Sequence, residues 1–384
     1  MFENILFQDR AVQQIKLVFQ NQAIAPAWLI HGPPVSGKLT FALEFARVLT
    51  CKEKVRGAWG CRCSSCQSHY LLNSPNLVLG GYKDFLGEVK LSSRALSKNP
   101  DIPKQRFHFY RAVKKVLKRI DPLFWDESDP KFKALTAPAE DLVELLEDFH
   151  PQRQLEKKDL DKLEKILKLC EKLENLLPEQ GIGIEGIRNI TQWAKTTSAL
   201  GYRVIIIENA DRLLSASRNA LLKVLEEPPS EVVFALLTRH RAAIIPTILS
   251  RLRSLELVER TQEQMKQIGR EIFQLDNEQS LQTGLQGSGE HEFVESFTNN
   301  FWNSAKEKKD LPSRWELKET DFHAFLDRLA FKLLAESRQS GPESLENYYQ
   351  VLEQFHHAVV ARDVFHQEIT GVLDEIYIAV RGVL

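Results

Sequence analysis

The chain sets a glycine-rich turn between a short apolar run and an amphipathic helix, and this order restricts the folds open to it. Ala27-Trp28-Leu29-Ile30 reads as a buried strand and Gly32-Pro33-Pro34-Val35-Ser36-Gly37-Lys38 as the turn. Phe41, Ala42, Phe45, Ala46 and Leu49 mark one face of the following helix. Strand, glycine turn and helix are what a phosphate cradle needs, because the turn's N–H groups and the positive helix end converge on an anion. Lys38 adds a point charge for the outer phosphates. Gly32, Gly37 and Lys38 are therefore candidate nucleotide-binding residues. The next position should offer a hydroxyl to magnesium, but it is Leu39. Thr40 follows one residue later, about 100° further round the helix, and should point elsewhere.

Residues 204–211, Val-Ile-Ile-Ile-Glu-Asn-Ala-Asp, read as the acidic strand end of a P-loop ATPase that has lost its catalytic carboxylate. Activating water needs a carboxylate near the outer phosphate. Asn209 stands in that position, and an amide takes up no proton near neutral pH. Glu208 retains the ability to hold magnesium through water. Asp211 reads as the cap of a helix over 212–225. The surrounding pattern alternates between strand and helix. A strand is expected at 77–79, a helix at 187–198, a strand at 203–207 and a helix at 215–226 that Pro228-Pro229 stops. A strand at 232–237, a short helix at 242–250 and a strand at 254–258 complete it. Only helical patterns follow: a small bundle over 262–298, then longer helices at 321–337, 343–363 and 366–381.

Between the two α/β stretches lie two features of different character. Cys51, Cys61, Cys63 and Cys66 crowd into sixteen residues, the last two as a Cys-x2-Cys pair. Four thiolates so close suit tetrahedral zinc in a closed, structural site, with His69 an alternative to Cys61 as fourth ligand. Cys170, on an apolar helix face, reads as core. Residues 83–178 read as an inserted helical element, such as a hairpin, with an Asp- and Pro-rich loop near 121–130. Within it, residues 104–119 carry seven Lys or Arg and no acid. That basic run is either a solvated face packed on the 140–177 helix or a nucleic-acid surface.

Bulk properties exclude other classes. The chain of 384 residues is long enough for two or three domains, and its net charge of −1 leaves any nucleic-acid contact to a local patch. No window approaches 18 uninterrupted apolar residues, and the start Met1-Phe2-Glu3-Asn4 lacks a signal-peptide pattern. A cytoplasmic protein with no membrane contact is expected.

Taken together, the motifs resemble the delta-prime family of bacterial DNA polymerase III clamp-loader subunits, members of the AAA+ class. Phe2-Glu3-Asn4-Ile5 and Gln8 resemble the family's opening box, and the cysteines follow the P-loop helix as they do in that family. Ile184-Glu185-Gly186-Ile187-Arg188 and Gly201-Tyr202-Arg203-Val204 resemble the approach to the acidic strand. Residues 219–229, Asn-Ala-Leu-Leu-Lys-Val-Leu-Glu-Glu-Pro-Pro, closely resemble the family's helix signature. Thr238 falls at the first sensor position, and Ser250-Arg251-Leu252 matches the Ser-Arg-Cys motif except at Leu252.

The resemblance implies an α/β fold: an AAA+ P-loop parallel sheet flanked by helices over 1–260, with the zinc module at 51–69 and the insertion at about 83–178. A helical lid (261–305) and a C-terminal helical oligomerisation collar (306–384) would follow. It implies that Arg251 is an arginine finger reaching a neighbouring subunit's ATP, and that Glu208 and Thr238 line a degenerate site for ATP or ADP. The second sensor should be an arginine, yet Gly287-Ser288-Gly289-Glu290-His291 offers none. With Leu39 and Asn209, this implies a subunit without autonomous ATPase activity. The implied partners are the gamma/tau ATPase and delta subunits, with the sliding clamp and primed DNA met through the assembled complex. Two alternatives are a gamma/tau-like motor subunit and a zinc-containing nucleic-acid-binding module.

Overall fold

The computed structural model describes residues 1–53, 57–81, 85–126, 128–177, 181–196, 201–275, 281, 285, 288–311, 315–317, 322–340, 342–363 and 367–384. Four apolar runs become the strands β1 (Ala27–His31), β2 (Leu77–Gly80), β3 (Arg203–Ile207) and β4 (Val232–Thr238), and the mostly polar Arg253–Glu256 forms the edge strand β5. They form one sheet in the order β2-β3-β4-β1-β5. All four pairings are parallel, with Leu29 opposite Leu236, Ile30 opposite Leu255, Ile205 opposite Phe234 and Leu79 opposite Ile206. A wholly parallel sheet brings every carboxyl end to one edge, where ligands of such folds bind. This is the AAA+ P-loop parallel sheet flanked by helices expected from the sequence.

Successive strand residues serve opposite faces, and both faces are buried. Trp28, Ile30, Leu79, Val204, Ile206 and Leu237 share one core with Phe41, Phe45 and Leu49 of α2 (Lys38–Thr50) and with Ala11, Ile15 and Val18 of α1 (Asp9–Gln20). Leu29, Val78, Ile205, Ile207, Phe234 and Leu236 share the other with Ile187 and Ile190, and with Leu221, Val224 and Ile248.

The helices match the expected pattern with shifts that have local causes. One expected at 187–198 runs from Ile184 to Lys195, entered through the extended Gly183. The helix expected over 242–250 shrinks to Pro246–Leu249, because Pro246 opens it and residues 241–243 form a separate tight turn. Asp211 does not cap the next helix. That helix is Ser215–Glu226, preceded by Leu214 with no side-chain cap, and Asp211 accepts a hydrogen bond from Thr238 instead.

The insertion is larger than a hairpin. After α3 (Ser64–Tyr70), which precedes it, the insertion holds α4 (Leu86–Lys98), α5 (Pro103–Arg119), α6 (Pro130–Glu147), a single turn α7 (Lys157–Leu160) and α8 (Leu163–Leu176). Val89, Phe109, Tyr110, Val113, Val116, Leu142, Phe149, Ile166, Cys170 and Leu173 form its own core, so Cys170 is buried as expected. Three helices follow in the α/β part, α9 (Ile184–Lys195), α10 (Ser215–Glu226) and α11 (Pro246–Leu249).

The chain divides into two compact units, Met1–Leu285 and Gln286–Leu384. The first includes α12 (Gln262–Phe273), which a Thr261–Gln264 capping box opens and whose Ile268 packs with Leu91 of α4. The second contains α13 (Ser288–Lys306), α14 (Phe322–Ser340), α15 (Pro342–Asp363) and α16 (Ile369–Val383) around Phe301, Phe325, Leu329, Phe355 and Tyr377. Of the segment compared with the second sensor, Gly287 and the side chains of 288–291 lie outside the described residues.

Candidate functional site

The carboxyl edge of the sheet collects most of the residues singled out in the sequence. β1 runs into the glycine turn, whose Val35 and Gly37 take left-handed φ values of 58° and 90°. At Gly32 a Cβ would meet the Leu257 carbonyl oxygen at 2.4 Å, so glycine lets the turn pass the end of β5. Lys38 Nζ folds back onto the turn, donating to the carbonyls of Gly32 at 2.7 Å and Pro33 at 2.6 Å. Burial, with the nearby Arg239 adding to it, brings the Lys38 amine down from 10.5 to about 7, while Asp211 and Glu208 pull the other way. Gln8 staples this region: its Nε2 donates to the carbonyls of Ser36 and Val258, and its Oε1 accepts from the Val258 N–H.

Arg260 was not visible as a site residue in the sequence. Its Nη1 donates to the Val35 carbonyl and its Nη2 to the Leu6 carbonyl at 3.0 Å, and burial lowers the guanidinium to about 10. A Cβ on Gly37 would lie 2.9 Å from Arg260 Nη2, so the arginine lies against the turn.

Thr238 ends β4 and is buried; its hydroxyl donates to Asp211 Oδ1 at 2.6 Å and accepts the His240 N–H at 2.9 Å. One strand away, Glu208 follows β3, and Asn209 takes a left-handed turn with φ 47°. Glu208 does not face an open site. Arg119 of α5 donates to its Oε2 from Nε at 2.8 Å, and its Nη2 forms an ion pair with the same oxygen at 2.7 Å. Burial raises the Glu208 carboxyl above its usual range, against the opposing pull of Arg119 and Lys115.

These residues do not fit a magnesium ion. Leu39 packs against the core, Thr40 is exposed, and the Glu208 carboxylate already has a cation. Much of the rest of the basic run likewise turns into the fold. Arg106 binds the Pro100 carbonyl, Arg111 those of His69 and Tyr70, Lys115 the Glu88 carboxylate and Lys118 the Leu77 carbonyl.

Arg251 lies elsewhere. It follows α11 and precedes β5, so it sits at the amino edge of the sheet, where Arg253 pairs with Trp28. The length of β5, about 13 Å at the usual strand rise, separates it from its own glycine turn. Its Nη2 donates to Glu226 Oε1 at 2.6 Å and its Nη1 to the Thr247 carbonyl at 2.6 Å. Glu226 ends the α10 signature helix, so two sequence motifs meet in this ion pair.

The four cysteines converge. Cys51 follows α2, Cys63 caps α3 and Cys66 lies in it. The sulfurs of Cys51, Cys61, Cys63 and Cys66 all lie within 4.8 Å of one another, and Cys51 and Cys61 are 3.7 Å apart. Tetrahedral zinc at ~2.3 Å from each sulfur requires S···S separations of about 3.8 Å, so this donor set fits the ion. His69 is not among them: its Nε2 bonds to Thr50 Oγ1 at 2.9 Å. A supporting residue that the sequence did not reveal is Arg47. Buried, it pairs with Glu44 and donates to the Gly57 carbonyl and to Cys66 Sγ at 3.2 Å. The i, i+3 spacing of Glu44 and Arg47 was the only signal.

Comparison with known proteins agrees with this layout. The family model described as DNA polymerase III, delta subunit, matches residues 7–90 and 144–261. Among curated proteins, Escherichia coli K12 DNA polymerase III subunit delta' is 39% identical over 82 residues, 20% of this chain and 25% of that one. Bacillus subtilis DNA polymerase III subunit tau is 43% identical over 70 residues, 18% of this chain and 12% of that one. The similarity thus spans a quarter or less of these relatives. A solved Thermotoga maritima gamma subunit-related protein aligns with 56% of this chain and 88% of its own at 19% identity, with a TM-score of 0.29. The two stretches matched by the family model make up more than half of the sequence, and they carry the glycine turn, the cysteines, Glu208, Thr238 and Arg251; the chain belongs to the DNA polymerase III delta subunit family.

Proposed function

We propose that this chain is a delta-prime-like, largely non-hydrolysing subunit of the DNA polymerase III clamp loader, working in the cytoplasm to help load the sliding clamp on primed DNA. Its partners would be the gamma/tau ATPase and delta subunits. The observation that carries the reading is the position of Arg251 at the sheet edge opposite its own glycine turn. A guanidinium there is too far to serve its own phosphates; once released from its partly exposed ion pair with Glu226 it could enter a neighbour's site and neutralise charge on the transferred phosphoryl group. Leu39, Asn209 and the paired Glu208 support the loss of chemistry in cis. Zinc on Cys51, Cys61, Cys63 and Cys66 would be structural, closing the loop between α2 and α3. Nucleotide, ATP or ADP, would rest on Gly32, Gly37 and Lys38, with Thr238 close by.

A gamma/tau-like motor role draws on the tau relative. Turnover by the purified chain, abolished by Lys38→Ala, would establish that reading and defeat the first. The nucleic-acid module has less support, because most of the basic run of α5 is bonded within the fold. The test of the finger is Arg251→Ala in the reconstituted complex. Assembly should persist while ATPase falls, and unchanged ATPase would remove the role.

A further inference from the structure

The helix that covers the acidic strand end belongs to a part of the chain that the family model leaves unmatched, residues 91–143. Arg119 is its last helical residue, and its guanidinium is held on several sides. Nε and Nη2 hold Glu208 Oε2, Nη1 donates to the Lys115 carbonyl at 3.0 Å, and the group lies over the Phe85 ring with its carbon 5.5 Å from the centroid. The side chain is only 5% exposed. Gly81 is part of the same arrangement: a Cβ there would lie 2.3 Å from Glu208 Oε2, so the carboxylate passes where only glycine leaves room. The neighbouring bonds from Lys118 to Leu77 and from Lys115 to Glu88 pin α5 across β2 and α4. Glu208 sits at the carboxyl edge of β3 and its charge reaches Lys38.

We propose that Arg119 is a built-in counter-cation for Glu208 that replaces a divalent metal, so that the glycine turn of this chain takes a nucleoside di- or triphosphate independently of magnesium. The inference rests on reading that turn as a nucleotide site. A carboxylate paired with a fixed, desolvated guanidinium through one hydrogen bond and one ion-pair contact has little reason to recruit a hydrated ion, since that ion would have to compete with a charge already in place. The absence of a hydroxyl at position 39 removes the other protein ligand that magnesium would use. The insertion would thereby convert an ATPase-type pocket into a metal-free nucleotide seat.

The experiment measures binding of fluorescent ADP and ATP analogues to the intact chain, with magnesium or with EDTA. The unaltered chain should bind with affinities that differ by less than about twofold between the two conditions, whereas Arg119→Gln should gain about fivefold or more from magnesium, a coupling of ordinary size. Arg119→Lys, which keeps the charge, should remain magnesium-independent, and Arg119→Gln/Glu208→Gln should lose the gain. Thermal melts establish that each variant folds; if Arg119→Gln does not, Arg119→Met, which keeps an apolar stem against Phe85 without the charge, takes its place with the same expected gain from magnesium. A tenfold or larger magnesium dependence in the unaltered chain overturns the proposal. So does a folded Arg119→Gln variant indifferent to magnesium, or a chain that binds neither analogue. None of these outcomes touches assembly with the other subunits, which tests the clamp-loader reading separately.

Discussion

Two side chains are displaced from their usual protonation behaviour mainly by burial, and each has a measurable consequence. His108 of α5 is held down to about 4, by burial first and then by Lys104, with Glu88 opposing. Its Nε2 is buried without a hydrogen-bond partner among the described residues. The folded state therefore keeps it neutral, while the unfolded chain takes up a proton below about 6.5. Stability from this group is complete above that value and is lost as pH falls towards 4. Between pH 7 and 5 the loss should be about 1–2 kcal/mol. Urea melts across that range would measure it, and His108→Asn should flatten the dependence. Lys38 behaves in the opposite sense. Lowered to about 7, it is partly neutral in the free turn, and an arriving phosphate favours its charged form. Nucleotide affinity should fall as pH rises from 7 to 9, by up to about tenfold per unit, and Lys38→Arg should remove most of that slope because arginine stays charged. An affinity insensitive to pH in the unaltered chain would contradict this account.

Among the elements, those with a short-range signature were legible in the sequence. The short apolar runs of β1 to β4, the glycine turn, the Pro228-Pro229 stop and the cysteine spacing each draw on residues close along the chain, so pattern alone located them. Elements whose role depends on a distant partner were not. The basic run of α5 looked like a solvated or phosphate-facing surface, because nothing near it in sequence reveals that Arg119 meets Glu208, 89 positions away. Asp211 looked like a helix cap because its true partner, Thr238, is 27 positions on. The cysteine loop illustrates both cases: its cysteines announced themselves, while the arginine that braces them did not. Arg47 and Glu44 are 2% and 3% exposed, and removing the arginine alone leaves a buried carboxylate unpaired. Arg47→Ala should destabilise the chain by about 3–5 kcal/mol, and Arg47→Ala/Glu44→Ala by less than the two single changes added. The same variant should release zinc to a chelator faster than the parent. Additive losses would mean that the pair is not coupled.

At the scale of the whole molecule, one sheet carries the two groups of candidate residues at opposite edges. The carboxyl edge gathers Lys38, Thr238 and Glu208 within the chain, and the amino edge presents Arg251. That separation is a property of parallel topology, since a residue just before β5 and a turn just after β1 must lie at opposite ends of adjacent strands. The sequence named both residues but could not supply the direction. If the subunit serves a neighbour's chemistry rather than its own, substitutions at the two edges should separate cleanly in a reconstituted clamp loader. Arg251→Ala should lower turnover at the site it serves by about a thousandfold, the low end of what an arginine finger contributes. Lys38→Ala should leave turnover of the complex within about twofold, because no step of hydrolysis would pass through this chain's own turn. Glu226→Ala frees Arg251 from its ion pair but leaves the guanidinium in place, so it should change turnover far less than Arg251→Ala. The reverse pattern, with Lys38→Ala disabling and Arg251→Ala silent, would make this chain a motor and assign the chemistry to the carboxyl edge.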